Sequence, residues 1–277
     1  MTTPNPTTPT YTANWHTHTF RCKHAVGDAL DYAHNAADAG LTTLGFSDHM
    51  PTPDGRWISV RMARDELPAY REAVEAARQA YPALKIYCGL ECEYLPEFKN
   101  YFADELIGSE RMEYLILGAH SFLLDGAWCS TFSRSSANDP RRLHAYADYV
   151  IASIGTGLFA CVAHPDVFGF FYTVWDAETA AVSRAIAQAA RTANVPLEIN
   201  AYGFRKQKID TPQGERPMYP WKPFWEIVAD VGAEAIVNSD AHDPLDIVGK
   251  VDQARLLAAE CGVRVRMPAT LSGTLFS

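Results

Sequence analysis

The sequence predicts an α/β fold whose parallel strands close into a barrel. Short apolar runs alternate with longer amphipathic stretches at intervals of roughly 30–40 residues along the 277-residue chain, the rhythm of repeated βαβ units. Seven or eight such units fit the chain, enough to close a sheet on itself. No Gly-x-Gly-x-x-Gly follows the first run, so the alternative, an open doubly wound sheet that binds a dinucleotide, lacks its signature.

The strand-like runs are 12–18, 42–48, 84–92, 113–120, 158–164, 195–200 and 233–239, with an eighth at 262–267. Apolar residues at three- and four-residue spacing predict helices over 26–39, 63–80, 141–153, 177–193, 222–231 and 246–260, because that spacing keeps one helix face apolar. Val26, Leu30, Ala33 and Ala37 carry the first of them. Gly40, Gly232 and Gly262 stand where helices would end in a left-handed cap. Residues 1–10 are Thr- and Pro-rich and too polar to bury. The expectation is therefore a disordered tail over 1–12 and a single domain over 13–277, without repeats or linkers.

Composition narrows the function. With 48% hydrophobic and 21% charged residues the chain can build a sizeable core. Its 24 basic and 33 acidic residues leave a formal charge of −9, and no basic stripe is visible, which argues against a nucleic-acid backbone as partner. Six scattered cysteines without a Cys-x-x-Cys pair read as reduced core thiols. The N-terminus lacks the basic and apolar regions of a secretion signal, and no apolar stretch reaches membrane-spanning length. The expected setting is the cytoplasm, with no membrane contact.

The placement of the nine histidines is more informative than their number. His16 and His18 end the first strand-like run, His49 the second, His120 the fourth and His164 the fifth. Glu91 closes the third, and Asp240 and His242 the seventh. In a parallel barrel all of these positions open onto the C-terminal face, where barrel active sites are built. Alternate strand residues share a face, so His16 with His18, and Asp240 with His242, can pinch a cation from opposite sides. Imidazole and carboxylate together suit Zn, Mn or Fe. His34 and His144 fall inside predicted helices and are read as ordinary surface or core residues.

These residues resemble a known family. His16-Thr-His18-Thr, Cys22-Lys-His24-Ala, Ser47-Asp48-His49, Gly89-Leu-Glu91, Gly118-Ala-His120, Ala163-His164-Pro-Asp and Ser239-Asp240-Ala-His242 reproduce the motif series of the PHP (polymerase and histidinol phosphatase) superfamily. Leu197-Glu-Ile-Asn200, Gly203-Phe-Arg-Lys206 and Tyr219-Pro220 resemble a segment of its stand-alone histidinol-phosphate phosphatases. The likeness runs from about Asn14 to Gly249 and implies a distorted (βα)7 barrel carrying three divalent ions, Zn, Mn or Fe. By analogy His16, His18, Glu91 and Asp240 surround one ion. Glu91 bridges to a second, completed by His120 and His164, and His24, His49 and His242 hold the third. His24, in a loop, is supplied by the resemblance alone. The implied activity is hydrolysis of a small phosphorylated metabolite, foremost L-histidinol phosphate in histidine biosynthesis, with Glu91, Asp240 and His242 at the reaction. The alternatives are a phosphodiesterase or exonuclease of the same superfamily, and a metal-binding regulatory module without activity.

The sequence departs from the histidinol phosphatases over 167–175, where Lys and Arg are missing and Phe170, Phe171, Tyr172 and Trp175 cluster instead. These aromatics are read either as a rim for the leaving group or as a plug in the barrel mouth. Arg205 becomes the candidate phosphate contact, with Lys206 expected to point the other way. Asp48 and Asp166, beside ligand-type histidines, are read as carboxylates that orient those rings or donate protons, or as plain loop caps.

Overall fold

The computed structural model describes residues 11–266. Its elements are β1 (Ala13–Asn14), α1 (Ala29–Asp38), β2 (Thr43–His49), α2 (Leu67–Ala80), β3 (Lys85–Cys92), β4 (Tyr114–Gly118), β5 (Ser121–Leu124), β6 (Ala127–Ser130), α3 (Pro140–Ile154), β7 (Cys161–Ala163), α4 (Ala177–Ala193), β8 (Leu197–Asn200), α5 (Lys222–Val231), β9 (Glu234–Asn238), α6 (Val251–Cys261) and β10 (Arg264–Val265). One parallel sheet runs in the order β1-β2-β3-β4-β7-β8-β9-β10 and curls on itself. The six helices match the six expected from spacing. Their ends follow local chemistry: Asp28 and Asp31 form a capping box at α1, and Asp176 and Thr179 form one at α4. Gly232 and Gly262, with φ of 77° and 72°, close α5 and α6.

The barrel closes between β1 and β9, and it closes mostly through side chains. Backbone pairing at this seam is limited to a Thr17–Ala241 bridge, where the His18 amide donates to Ala241 O at 3.0 Å. Below it, the Trp15 amide donates to Asn238 Oδ1 (2.8 Å) and the Ser239 amide to Asn14 Oδ1 (3.0 Å). Two asparagines thus satisfy backbone groups that a ladder would otherwise pair. That is why the first strand, expected over 12–18, shrinks to two residues. The eighth, expected over 262–267, extends the sheet beyond β9 as Arg264–Val265, and residue 267 lies outside the described residues.

Inside the barrel Trp15, Tyr114, Ile116, Cys161 and Ile236 form a small core of their own. Tyr114 needs the space beside Gly89, where an added methyl would meet its ring at 2.5 Å, and its hydroxyl donates to Trp15 O and Phe46 O, each at 2.9 Å. The larger core lies between the sheet and the helices.

Three features differ from the sequence reading. Between β3 and β4 the crossover is a π-helical segment, Tyr101–Ser109, where no element was expected. The run 113–120 breaks at Gly118, and a β5–β6 hairpin follows it over the barrel mouth. The tail was drawn two residues too long: Thr12 O accepts the Thr42 and Thr43 amides and Tyr11 donates to Asn14 Oδ1. The rest of the tail lies outside the described residues.

Candidate metal centre

Parallel strands deliver their C-terminal ends to one face, and every expected ligand arrives there. The β2–β3 register sets His49 directly beside Glu91. Glu91 is the hub: its Oε1 lies 3.0 Å from His164 Nε2 and 3.3 Å from His120 Nε2, and its Oε2 lies 3.4 Å from His16 Nε2 and 3.1 Å from His49 Nδ1. The Nε2 atoms of His16 and His18 approach to 3.1 Å. Asp240 Oδ1 closes the far side, 3.1 Å from His18 Nε2, 3.5 Å from His16 Nε2 and 3.3 Å from His242 Nδ1. His24, carried by the turn after β1, stacks 4.9 Å from His242 and stands 5.3 Å from His49. Two of these residues sit in the left-handed region, His164 at φ 30° and Asp240 at φ 50°, backbone strain of the kind concentrated at functional sites.

A ring of hydrogen bonds aims these side chains. Glu198 accepts from His16 Nδ1 (2.8 Å) and from the His164 amide (3.1 Å). Asn200 donates to Asp240 Oδ2 (3.0 Å) and to Glu198 Oε2 (2.8 Å). Glu93 Oε1 lies 3.0 Å from His120 Nδ1. Asp48 takes the Thr19 amide at 3.0 Å and the His49 amide at 2.7 Å, with its Oδ1 3.6 Å from His18 Nδ1. A carboxylate behind a ligand histidine fixes its tautomer and ring orientation.

The charges show what belongs at the centre. Burial alone would push every charged group toward neutrality. The surrounding imidazoles nevertheless hold Glu91 and Asp240 well below the usual carboxylate range. Burial lowers His18 and His120, but Asp240, Asp48 and Glu91 outweigh it and raise His18 to about 9, and Glu91 and Glu93 raise His120 to about 10. The carboxylates therefore demand positive charge between them. Burial and neighbouring histidines lower His24 to about 4 and His49 to about 3, leaving lone pairs free at neutral pH. His49 Nδ1 and Asp240 Oδ1 are buried without an aligned hydrogen-bond partner. Such a donor set fits divalent cations. Three-residue groups spaced for one ion include His16–His18–Glu91, His49–Glu91–His120 and His24–His49–His242.

A cavity of about 380 Å³ opens over this cluster, walled by Trp57, Arg61, Phe132, Tyr202, Lys206 and Tyr219. Arg205 requires a correction. Its guanidinium donates to the carbonyls of Gly249 (2.6 Å), Ser239 (2.8 Å) and Asp240 (3.1 Å) and pairs with Asp246 at 3.3 Å. It ties the loop that carries Asp240, and the side chain reaching the cavity is its neighbour Lys206, with Nζ 4.1 Å from the Tyr202 ring centroid. A short helical turn over 201–204 breaks the extended geometry from which the opposite assignment was drawn.

The aromatic segment is also settled by packing. Phe171 and Tyr172 are buried in the core, Trp175 packs on Trp221, and Phe170 meets the cavity only through Phe132. Asp48 lies within reach of His18, whereas Asp166 accepts the Trp221 amide (2.5 Å) and Trp225 Nε1 (3.0 Å) and so caps a loop. His34 and His144 are exposed and pair with Asp38 and Glu178. Sequence reasoning missed Glu93, Arg61, Trp57 and Phe132. Glu93 was within reach, because it lies two residues after Glu91, just past the end of β3, where continued alternation would turn both side chains to one side.

Comparison with known proteins places the chain. The PHP domain family matches residues 14–202. A Deinococcus radiodurans protein named as a probable histidinol-phosphatase is 31% identical over 243 residues, covering 84% of this chain and 86% of that protein. A candidate histidinol phosphatase from Listeria monocytogenes superposes with a TM-score of 0.71 at 20% identity, over 87% of this chain and 99% of that one. The Lactococcus lactis histidinol phosphate phosphatase, solved with Zn, L-histidinol and phosphate, gives 0.71 at 16% identity, over 92% and 95%. The distorted parallel barrel is thus shared with solved histidinol phosphatases, and the chain belongs to the PHP domain family, where it is similar to the histidinol-phosphatase members.

Proposed function

We propose that the protein is a metal-dependent phosphatase of small phosphomonoesters, with L-histidinol phosphate as its foremost substrate. The observation that carries this reading is the cluster of seven histidines with Glu91 and Asp240 at the floor of a cavity sized for a small molecule. The Deinococcus relative and the ligands named with the Lactococcus structure support the choice of substrate. Three ions are proposed, held by His16, His18, Glu91 and Asp240, by Glu91 with His120 and His164, and by His24, His49 and His242. Divalent cations, when bound, supply neutralisation of phosphate oxygens and make deprotonated water available at neutral pH.

The chain's own residues do the rest. Glu91 and Asp240, kept ionised by the surrounding imidazoles, hold the cations together. Glu198 and Asn200 keep His16 and Asp240 aimed at the centre. Lys206, at the mouth beside Tyr202, meets the phosphate as a point charge. Trp57 and Phe132 face the leaving group and keep bulk water away from it.

The phosphodiesterase reading is less favoured by a cavity walled by four aromatic side chains, Trp57, Phe132, Tyr202 and Tyr219, and by the net charge of −9. Metal-loaded protein assayed with histidinol phosphate, nucleotides, sugar phosphates and single-stranded DNA decides the matter. Preference for histidinol phosphate is expected. Cleavage of DNA at a comparable rate overturns the substrate class, and no turnover of any phosphomonoester overturns the enzymatic reading.

A further inference from the structure

In the cavity wall lies a charged pair for which the ligand cluster itself gives no reason. The Arg61 guanidinium grips Glu93 with two hydrogen bonds, Nη1 to Oε2 at 2.8 Å and Nη2 to Oε1 at 3.0 Å, while Nη1 also donates to Met50 O at 3.1 Å. Arg61 is 3% exposed and Glu93 1%. Burying an ion pair this completely rarely adds net stability, since desolvation consumes most of the attraction. An apolar pair of similar volume would serve the core at least as well, so the position of the pair carries the meaning.

That position is specific. Met50 follows His49 and its amide donates to Glu91 O at 2.9 Å. Glu93 lies two residues past Glu91, and its Oε1 meets His120 Nδ1 at 3.0 Å while His120 Nε2 faces Glu91 Oε1 at 3.3 Å. Arg61 therefore binds together the strand ends that present His49, Glu91 and His120. The same guanidinium stacks 5.0 Å from the Trp57 ring centroid, carrying the aromatic wall of the cavity. Glu93 alone could swing toward several donors; clamped on two of its edges, it can offer His120 only one orientation.

We infer that Arg61 and Glu93 are positioning residues: the Arg61 clamp fixes Glu93, Glu93 fixes the His120 ring with Nε2 toward Glu91, and the arrangement couples the Trp57 wall to that ligand. The inference rests on the metal-phosphatase reading and deepens it. The contact to His120 needs an acceptor at residue 93 but not a negative charge, whereas the ion pair needs both charges. The two can therefore be separated by substitution.

The test compares wild type with two double variants, each of which removes both charges so that no unpaired ion stays buried. Arg61→Met/Glu93→Gln keeps an acceptor for His120, and Arg61→Met/Glu93→Leu does not. Thermal melting of the metal-free proteins checks the fold, competition with a chelator on Zn-loaded protein reads metal retention, and steady-state kinetics separates kcat from KM. The Leu variant should melt like wild type, hold its most weakly bound Zn roughly 10–100-fold less tightly, the usual cost of losing such a partner, and lose kcat in step. The Gln variant should recover part of that retention and kcat, the remaining shortfall being what the Arg61 clamp contributes, and should keep a raised KM, because Trp57 has lost its support. Wild-type retention and kcat in a folded Leu variant would overturn the inference, as would equal damage in both variants. If wild type itself binds no metal and turns over no phosphomonoester, the underlying phosphatase reading falls instead.

Discussion

Exchanging Arg205 and Lys206 separately for alanine tests how the site holds its substrate. Lys206 is half-buried at the cavity mouth without a carboxylate partner among the described residues, and burial lowers its ammonium below the ordinary lysine range. A hydrogen bond to a charged group contributes about 1.5–3 kcal/mol, so Lys206→Ala should lower kcat/KM roughly 10–150-fold at 1.36 kcal/mol per tenfold. The loss should be similar for two unrelated phosphomonoesters, because the amine reads phosphate and not leaving group. Metal content and melting temperature should hardly change. Arg205→Ala should behave differently. It strips donors from three carbonyls, one of them that of Asp240, at a cost of about 2–3 kcal/mol in total, which for a protein of this size is a fall in Tm of roughly 5 °C. It should also loosen metal through Asp240. Steady-state kinetics, melting curves and elemental analysis on both variants decide the matter. The reasoning fails if Lys206→Ala leaves kcat/KM within about twofold of wild type, or if Arg205→Ala damages kinetics at unchanged Tm and metal content.

Three further outcomes follow from the site. Protein loaded with Zn or Mn and then desalted should carry more than one ion per chain by elemental analysis and lose activity to chelators; one ion or none would remove the multinuclear arrangement. Glu91→Gln, which keeps the shape of the hub but not its charge, should lose at least one ion and fall in turnover by about 10²-fold or more, and full occupancy with normal turnover would show that Glu91 does not bridge. Gly118→Ala places a methyl against the Glu91 carboxylate and 2.6 Å from His120 Cε1, so it should weaken metal retention while the melting of metal-free protein changes little; an undisturbed metal content would mean that Glu91 can move without loss.

Periodicity alone delivered the six helices, the parallel sheet and the face on which the ligands gather, because a barrel built from βαβ units leaves the strand ends no other side on which to open. The histidines and carboxylates at those ends were visible as residue types at strand spacing, and the structure gathers them within a few ångströms of one another around Glu91 and Asp240. His24 followed from likeness alone, since it rides on a turn whose direction no pattern encodes. Tertiary structure decided what depends on side-chain direction in loops. A single helical turn over 201–204 exchanged the roles of Arg205 and Lys206, and packing turned Phe171 and Tyr172 into core. The seam between β1 and β9 is held by the side chains of Asn14 and Asn238, contacts that no local pattern encodes. The Arg61–Glu93–His120 chain joins positions up to 59 residues apart in sequence, so only the folded barrel brings them together.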